Sequence, residues 1–271
     1  MAIDLKRKKF ADEVIGVEKD KVHAQAALGL GLADREASFE DAVKEADITI
    51  LAVPVSAAAK LLPKALDIYK DLPDGDRKII IDVCSVKEPM VRSVHYHPMR
   101  KCYVATHPMA GTEYSGPWAA LPGLFDGRAG IICNSEDSDL KALRTVEKLY
   151  DTLNMRMVFM NGSNHDVHTA YISHVSHVIS FALANTVLQK EKDEKHIFDL
   201  ASGGFSSTVR LAKSGADMWV PIFLDNSDNL LNVMDAYMEN LKAFRDAIAD
   251  CDAAKTRELI ESANRIKRII R

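Results

Sequence analysis

The stretch THPMAGTEYSGPW, Thr106–Trp118, gathers histidine, threonine, glutamate and serine side chains around two glycines. It follows a short apolar run, Tyr103–Ala105, that reads as a strand. In an α/β sheet, residues just past the carboxyl ends of strands face the ligand crevice. A histidine there suits proton transfer, because its ordinary pKa of about 6.5 lies close to neutrality. Other segments offer partners. DVCSVK, Asp82–Lys87, ends a second apolar run and supplies Ser85. SHVSH, Ser173–His177, sits in a long helical stretch; His174 and His177 lie near one face, and His165 some turns earlier. SGGFSSTVRLA, Ser202–Ala212, places Arg210 after a glycine turn. Each has a plainer reading: an irregular loop with a structural histidine, a surface arginine, a packed helix histidine. His174 reads as structural. His95 and His97 of HYHP resemble half a metal site, but no third ligand is evident, and an exposed loop explains them better.

The elements that must position these groups change character along the chain. Up to about residue 160, apolar runs at Val14–Val17, Ile48–Val53, Ile79–Val83, Tyr103–Ala105, Ala129–Cys133 and Met157–Met160 are short, β-branched and not alternating. That pattern predicts parallel strands buried on both faces. Helical stretches lie between them: Lys21–Leu28, Phe39–Lys44, Ser56–Tyr69, Val86–Val94 and Ser138–Leu149, with Ser56 and Ser138 at N-cap positions. The first part reads as a doubly wound, Rossmann-like α/β domain, residues 1–160. From about Asn164 the strands stop. One long helix is followed by helical blocks at Ser207–Lys213, Trp219–Ala249 and Asp252 to the end, an all-helical domain over residues 161–271. Its apolar faces exceed what such a domain can bury alone, so a homodimer is expected.

In a dinucleotide-binding domain, Val14–Val17 ending on Glu18 looks like the second strand, with the acid placed for the adenosine ribose. That favours NAD over NADP. The residues ILAVP, ending at Val53 and Pro54, suit the strand end that passes beside the cofactor. Only about a dozen residues precede the first run and none is glycine, so the first strand and its phosphate-binding turn are expected upstream, and cofactor binding by this chain is expected to be weak. Loss of that central strand would expose two neighbouring strand edges. The GLGL at Gly29–Leu32 follows the second strand, not the first, and reads as the turn ending a helix.

Bulk properties narrow the classes. The 271 residues carry a formal net charge of −4, against a general nucleic-acid binder. Cys84, Cys102, Cys133 and Cys251 are far apart, which suits a reducing cytosol and gives no zinc motif. No apolar run approaches a membrane span and no signal peptide is visible, so a cytoplasmic enzyme is expected.

HPMAGTE, DVCSVK, the HD…SHVSH helix and GGFSSTVR…W, in this order, resemble the prephenate/arogenate dehydrogenases of tyrosine biosynthesis, and the resemblance runs over essentially the whole chain. It implies a Rossmann domain joined to a helical dimerisation domain, and an NAD-dependent oxidative decarboxylation of prephenate or arogenate. It implies that His107 is the base for the ring hydroxyl, with Ser85 bonded to that hydroxyl or to His107. Arg210 would bind the substrate carboxylate. His165 and His177 would line the substrate pocket, Thr112 and Glu113 would stand at its edge, and Trp219 would cover it. The family's helix motif reads SHLPH; here Ser176 replaces the proline, which bears on how His177 is aimed. Two rival readings remain. A β-hydroxyacid-type dehydrogenase would carry a catalytic lysine and lack HPMAGTE. A non-catalytic binder of aromatic acids would bind them without detectable NAD binding.

Overall fold

The structure, a computed structural model, describes residues 1–112, 114–192 and 197–269. It forms two compact units, Met1–Asn226 and Ser227–Arg271. The first unit opens with helix α1 (Ala2–Arg7) and a two-stranded parallel sheet, β1 (Ile15–Gly16) and β2 (Arg35–Glu36), joined by α2 (Lys21–Gly29). After α3 (Phe39–Glu45) comes a separate five-stranded sheet in the order β3-β4-β5-β6-β7. Its strands are β3 (Ile48–Leu51), β4 (Ile79–Asp82), β5 (Tyr103–Pro108), β6 (Ala129–Cys133) and β7 (Arg156–Met160). No ladder joins the two sheets among the described residues, which leaves an edge of β3 unpaired.

Alternation along the strands builds two core layers. Ile80, Tyr103 and Ala105 pack on one face against α4 (Val55–Asp71), through Ala58, Leu62 and Leu66, and α5 (Glu88–Ser93), through Met90. Ile79, Ile81, Val104 and Ile132 pack on the other against Leu5 of α1 and Val146 and Leu149 of α6 (Leu140–Thr152). Burying each such side chain contributes about 1.5–3 kcal/mol. Because both faces of β4 and β6 are covered, these strands read as nearly unbroken apolar runs.

β6 runs antiparallel to β5 and parallel to β7, so the sheet is mostly parallel, as expected. Two N-cap expectations are corrected. Ser56 lies inside α4, whose N-cap is Pro54, and Asp139 rather than Ser138 caps α6, accepting from Lys141 N and Ala142 N. Ser138 Oγ instead donates to the Tyr103 carbonyl. GLGL is the C-terminal turn of α2: Leu32 N bonds back to the Ala27 carbonyl across Gly31, whose φ of +67 favours glycine.

Beyond β7, α7 (Gly162–Thr169) runs through a π-helical turn, Ala170–His174, into α8 (Val175–Glu191). Then follow α9 (Gly203–Thr208), a 3₁₀ turn at Arg210–Lys213, and α10 (Ala216–Asp225), which packs on α4. The single helix expected over Trp219–Ala249 is broken at Asn226. The Asn226 amide is spent on the Asp166 carbonyl (2.8 Å) and His174 Nδ1 (3.1 Å), and its backbone leaves the helical region, φ −121 and ψ 31. The second unit holds α11 (Ser227–Ala249) and α12 (Ala253–Ala263), which pack on each other. No described helix is long and apolar enough to cross a membrane.

Candidate active site

β5 extends three residues beyond the Ala105 end read from sequence, so His107 stands on the strand itself, opposite Ile131 of β6. Its ring is 9% exposed. His107 Nδ1 lies 2.8 Å from His165 Nε2, and His165 Nδ1 lies 2.7 Å from Asp166 Oδ1. The two rings meet edge-on. Among the described residues His107 Nε2 has no hydrogen-bond partner, so its hydrogen-bonding capacity is open to a ligand. Burial, followed by the repulsion that a protonated His165 would exert and by the charge of Lys87, pushes the His107 pKa well below the ordinary histidine value. Burial also lowers that of His165, against the pull of Asp166. Both rings are neutral near pH 7.

His165 was expected in the wall of a substrate pocket. It is fully buried and stands behind His107, because α7 presents it toward the strand end rather than outward. His174, buried beside Asn226 and Trp219, has its pKa lowered to about 4 by burial.

The wall behind these rings is ionic. Asp82 and Lys87 form an ion pair with no exposed side-chain surface on either partner. Asp82 also accepts from Cys84 N, Tyr103 OH (2.6 Å) and Thr106 N, and Lys87 Nζ donates to the Thr106 carbonyl (2.8 Å). The ends of β4 and β5 are thereby tied together next to His107. Ser85 lies half-buried in the loop between β4 and α5 and has no hydrogen-bond partner among the described residues, so it does not bond His107 here. The Cys84 thiol reaches the Val53 carbonyl (3.6 Å), which brings the β3–α4 loop, with exposed Val53 and Pro54, alongside.

On the helical side, His177 is 9% exposed and its Nδ1 donates to the Ser173 carbonyl (3.0 Å). Burial lowers its pKa, and the nearby Arg210 charge lowers it further. Arg210 is thus close to His177. Ser180 Oγ brackets it, donating to the Thr208 carbonyl (3.1 Å) and accepting from Ala212 N (3.0 Å). Trp219 was expected to cover the substrate. It is buried instead, its ring stacked on His177 with centroids 3.4 Å apart, because Trp219, Ile222 and Phe223 form the inward face of α10. Its Nε1 has no partner among the described residues. Thr112 accepts from Tyr114 N (3.3 Å) on the loop after β5. Glu113 lies outside the described residues.

Sequence reasoning missed Asp82, Lys87, Asp166 and Asn226. The first three stand inside or beside quoted motifs, DVCSVK and HD, so a signal was present. Asn226 had none.

The fit of a dinucleotide is tested at β1. Glu18 is exposed and, among the described residues, accepts only from Asp20 N (3.0 Å). Its carboxylate opens on a cleft of about 530 Å³ lined by Val17, Glu18, Lys19, Glu36, Ala37, Ser38 and Phe39. Free carboxylate lone pairs beside an open cleft suit a ribose diol, and a second acid, Glu36, opposes an added phosphate. These residues fit the adenosine end. The N-terminus of α2 does not serve as an anion site, since Asp20 already accepts from Val22 N and His23 N.

A mostly parallel sheet followed by helices, with neutral His107 near the end of β5 paired to His165 of α7, is the architecture of the dinucleotide-binding α/β class. Residues 1–159 match the model of the prephenate dehydrogenase nucleotide-binding domain, and residues 161–262 that of the prephenate dehydrogenase dimerization domain. The chain is 32% identical over 241 residues to a cyclohexadienyl dehydrogenase of Zymomonas mobilis, across 87% of this chain and 79% of that protein. It is 31% identical over 257 residues to a prephenate dehydrogenase of Bacillus subtilis, across 93% and 68%. A crystal structure of the Aquifex aeolicus prephenate dehydrogenase, in complex with hydroxyphenyl propionate and NAD+, superposes with a TM-score of 0.85 at 25% identity, covering 99% of this chain and 92% of that one. The chain belongs to the prephenate dehydrogenase family.

Proposed function

We propose that this chain catalyses the NAD-dependent oxidative decarboxylation of prephenate to 4-hydroxyphenylpyruvate. The observation that supports it most is the buried, neutral His107, whose Nε2 is open while its Nδ1 is held by His165. A neutral imidazole can accept the proton of the ring C4 hydroxyl near pH 7. Ser85, with no hydrogen-bond partner among the described residues, is read as a donor or acceptor to that same hydroxyl. A bound nicotinamide would supply the acceptor for the hydride leaving C4. As the ring carboxylate departs as carbon dioxide, the ring becomes aromatic, and this drives the step. Arg210 offers a planar fork of donors to a substrate carboxylate, beside a neutral His177 that adds no competing charge. Thr112 and Glu113 are read at the pocket edge. Glu18 would hold the adenosine ribose, and the Val53–Pro54 loop would pass beside the cofactor; with Glu36 nearby, NAD is favoured over NADP.

We read residues 1–160 as the nucleotide-binding domain and 161–271 as the dimerisation domain of a cytoplasmic enzyme. Exposed Leu231, Met238, Leu241 and Ile248 lie along one stripe of α11, which supports a second copy of the chain as partner. Arogenate, which differs from prephenate only in its side chain, is the second substrate reading; the cyclohexadienyl dehydrogenase relative motivates it. NADH formation measured with each substrate in parallel tests both. Turnover of neither would remove the proposal and leave binding of aromatic acids without catalysis.

A further inference from the structure

Three elements meet at Asp166. Its Oδ1 accepts from Lys87 N (2.7 Å) and bonds His165 Nδ1 (2.7 Å), its Oδ2 accepts from Glu88 N (2.8 Å), and the side chain is nearly fully buried. Backbone N–H groups only donate, so both carboxylate oxygens act as acceptors. His165 must then carry its proton on Nδ1 for the bond to Asp166 to form. A neutral imidazole has one N–H, so His165 Nε2 is a bare acceptor. The proton between the two rings must come from His107 Nδ1, 2.8 Å away. That leaves His107 Nε2 without a proton.

We propose that Asp166 and His165 are positioning residues that lock His107 in the tautomer with its proton on Nδ1, making Nε2 a standing proton acceptor. The proposal rests on His107 being the base. When Nε2 takes a hydroxyl proton, the O–H bond breaks, its electron pair stays on oxygen, and an N–H bond forms. The His107 ring becomes a cation whose Nδ1–H is already directed at His165, and the Asp166 carboxylate faces the far side of that ring. Among the described residues, the other charged groups acting on the pair are Lys87, matched by Asp82, and the neutral His174 lies beyond Asn226. Burial of both rings is consistent with this order, since neither histidine picks up a second proton near neutrality.

The order of protons is directly observable. Two-bond proton–nitrogen correlation spectra of histidine-labelled protein, free of substrate and cofactor, distinguish protonated from bare ring nitrogens. In the parent, His107 is expected protonated at Nδ1 and bare at Nε2, and His165 likewise. In Asp166→Asn, one amide cannot accept from all three donors, and its NH₂ can face His165; the His107 proton is expected to shift toward Nε2. Turnover should fall about 10²-fold or more with KM within about threefold, as a misplaced tautomer costs about 10⁴-fold when the acid contacts the catalytic ring itself. A parent with His107 protonated on Nε2 overturns the proposal whether or not any variant folds. So does an Asp166→Asn protein whose His107 tautomer is unchanged. Failure of the functional reading shows differently, as an inactive parent in which the Nδ1–H tautomer is present.

Discussion

Lys87 and Asp82 meet behind the candidate site with no water-accessible surface on either side chain. A buried pair gives little net stability over an apolar pair of like size, but removing one partner strands the other charge. Lys87→Met is expected to destabilise the chain by about 3–5 kcal/mol in urea unfolding. The double variant Asp82→Asn, Lys87→Met is expected to lose clearly less than the sum of the two single changes. An additive double variant would show that the pair is not coupled.

Four histidines buried among the described residues give stability a pH signature. Burial lowers the pKa of His107, His165, His174 and His177 in the folded chain. The unfolded chain, with histidines near 6.5, therefore binds more protons once the pH drops below that value. Stability is full above about pH 6.5 and is lost as pH falls toward the folded values, near 4 for His174. That residue alone accounts for on the order of 3 kcal/mol. Unfolding free energy measured across this window should decline steadily; a flat profile down to pH 5 would contradict the neutral cluster.

Arg210 and Ser180 are separable. Arg210→Gln is expected to raise KM for the substrate by tenfold or more, about the 1.5–3 kcal/mol of a charge-assisted hydrogen bond, with a smaller change in kcat. Ser180→Ala removes the hydroxyl that brackets Arg210 and should raise KM by a few-fold. An unchanged KM for Arg210→Gln would remove it from carboxylate binding.

Glu18→Gln removes a charge and weakens an acceptor toward a ribose diol. Isothermal titration should show weaker NAD binding and a relative gain for NADP. Equal loss for both cofactors would mean that Glu18 does not read the ribose.

Much of this was legible in residue patterns, and what was missed has physical causes. Ala129–Cys133 matched its strand to the residue because an apolar run between turns is unambiguous. Its antiparallel direction was not legible, since a strand buried on both faces looks alike in either direction. Arg35–Glu36 was missed as a strand because it is two charged residues long. HPMAGTE led to His107, but the relay to Asp166 spans residues far apart in sequence, and periodicity does not report such contacts. Trp219 and His165 were expected to face a ligand; the helices that carry them turn both inward.

The most direct test of His107 as the base is NADH formation from prephenate by the parent and by His107→Asn. The account predicts that the variant loses about 10²–10⁴-fold in kcat while substrate KM is largely kept, the usual contribution of a positioned general base. Turnover by His107→Asn at the parent's rate would contradict it.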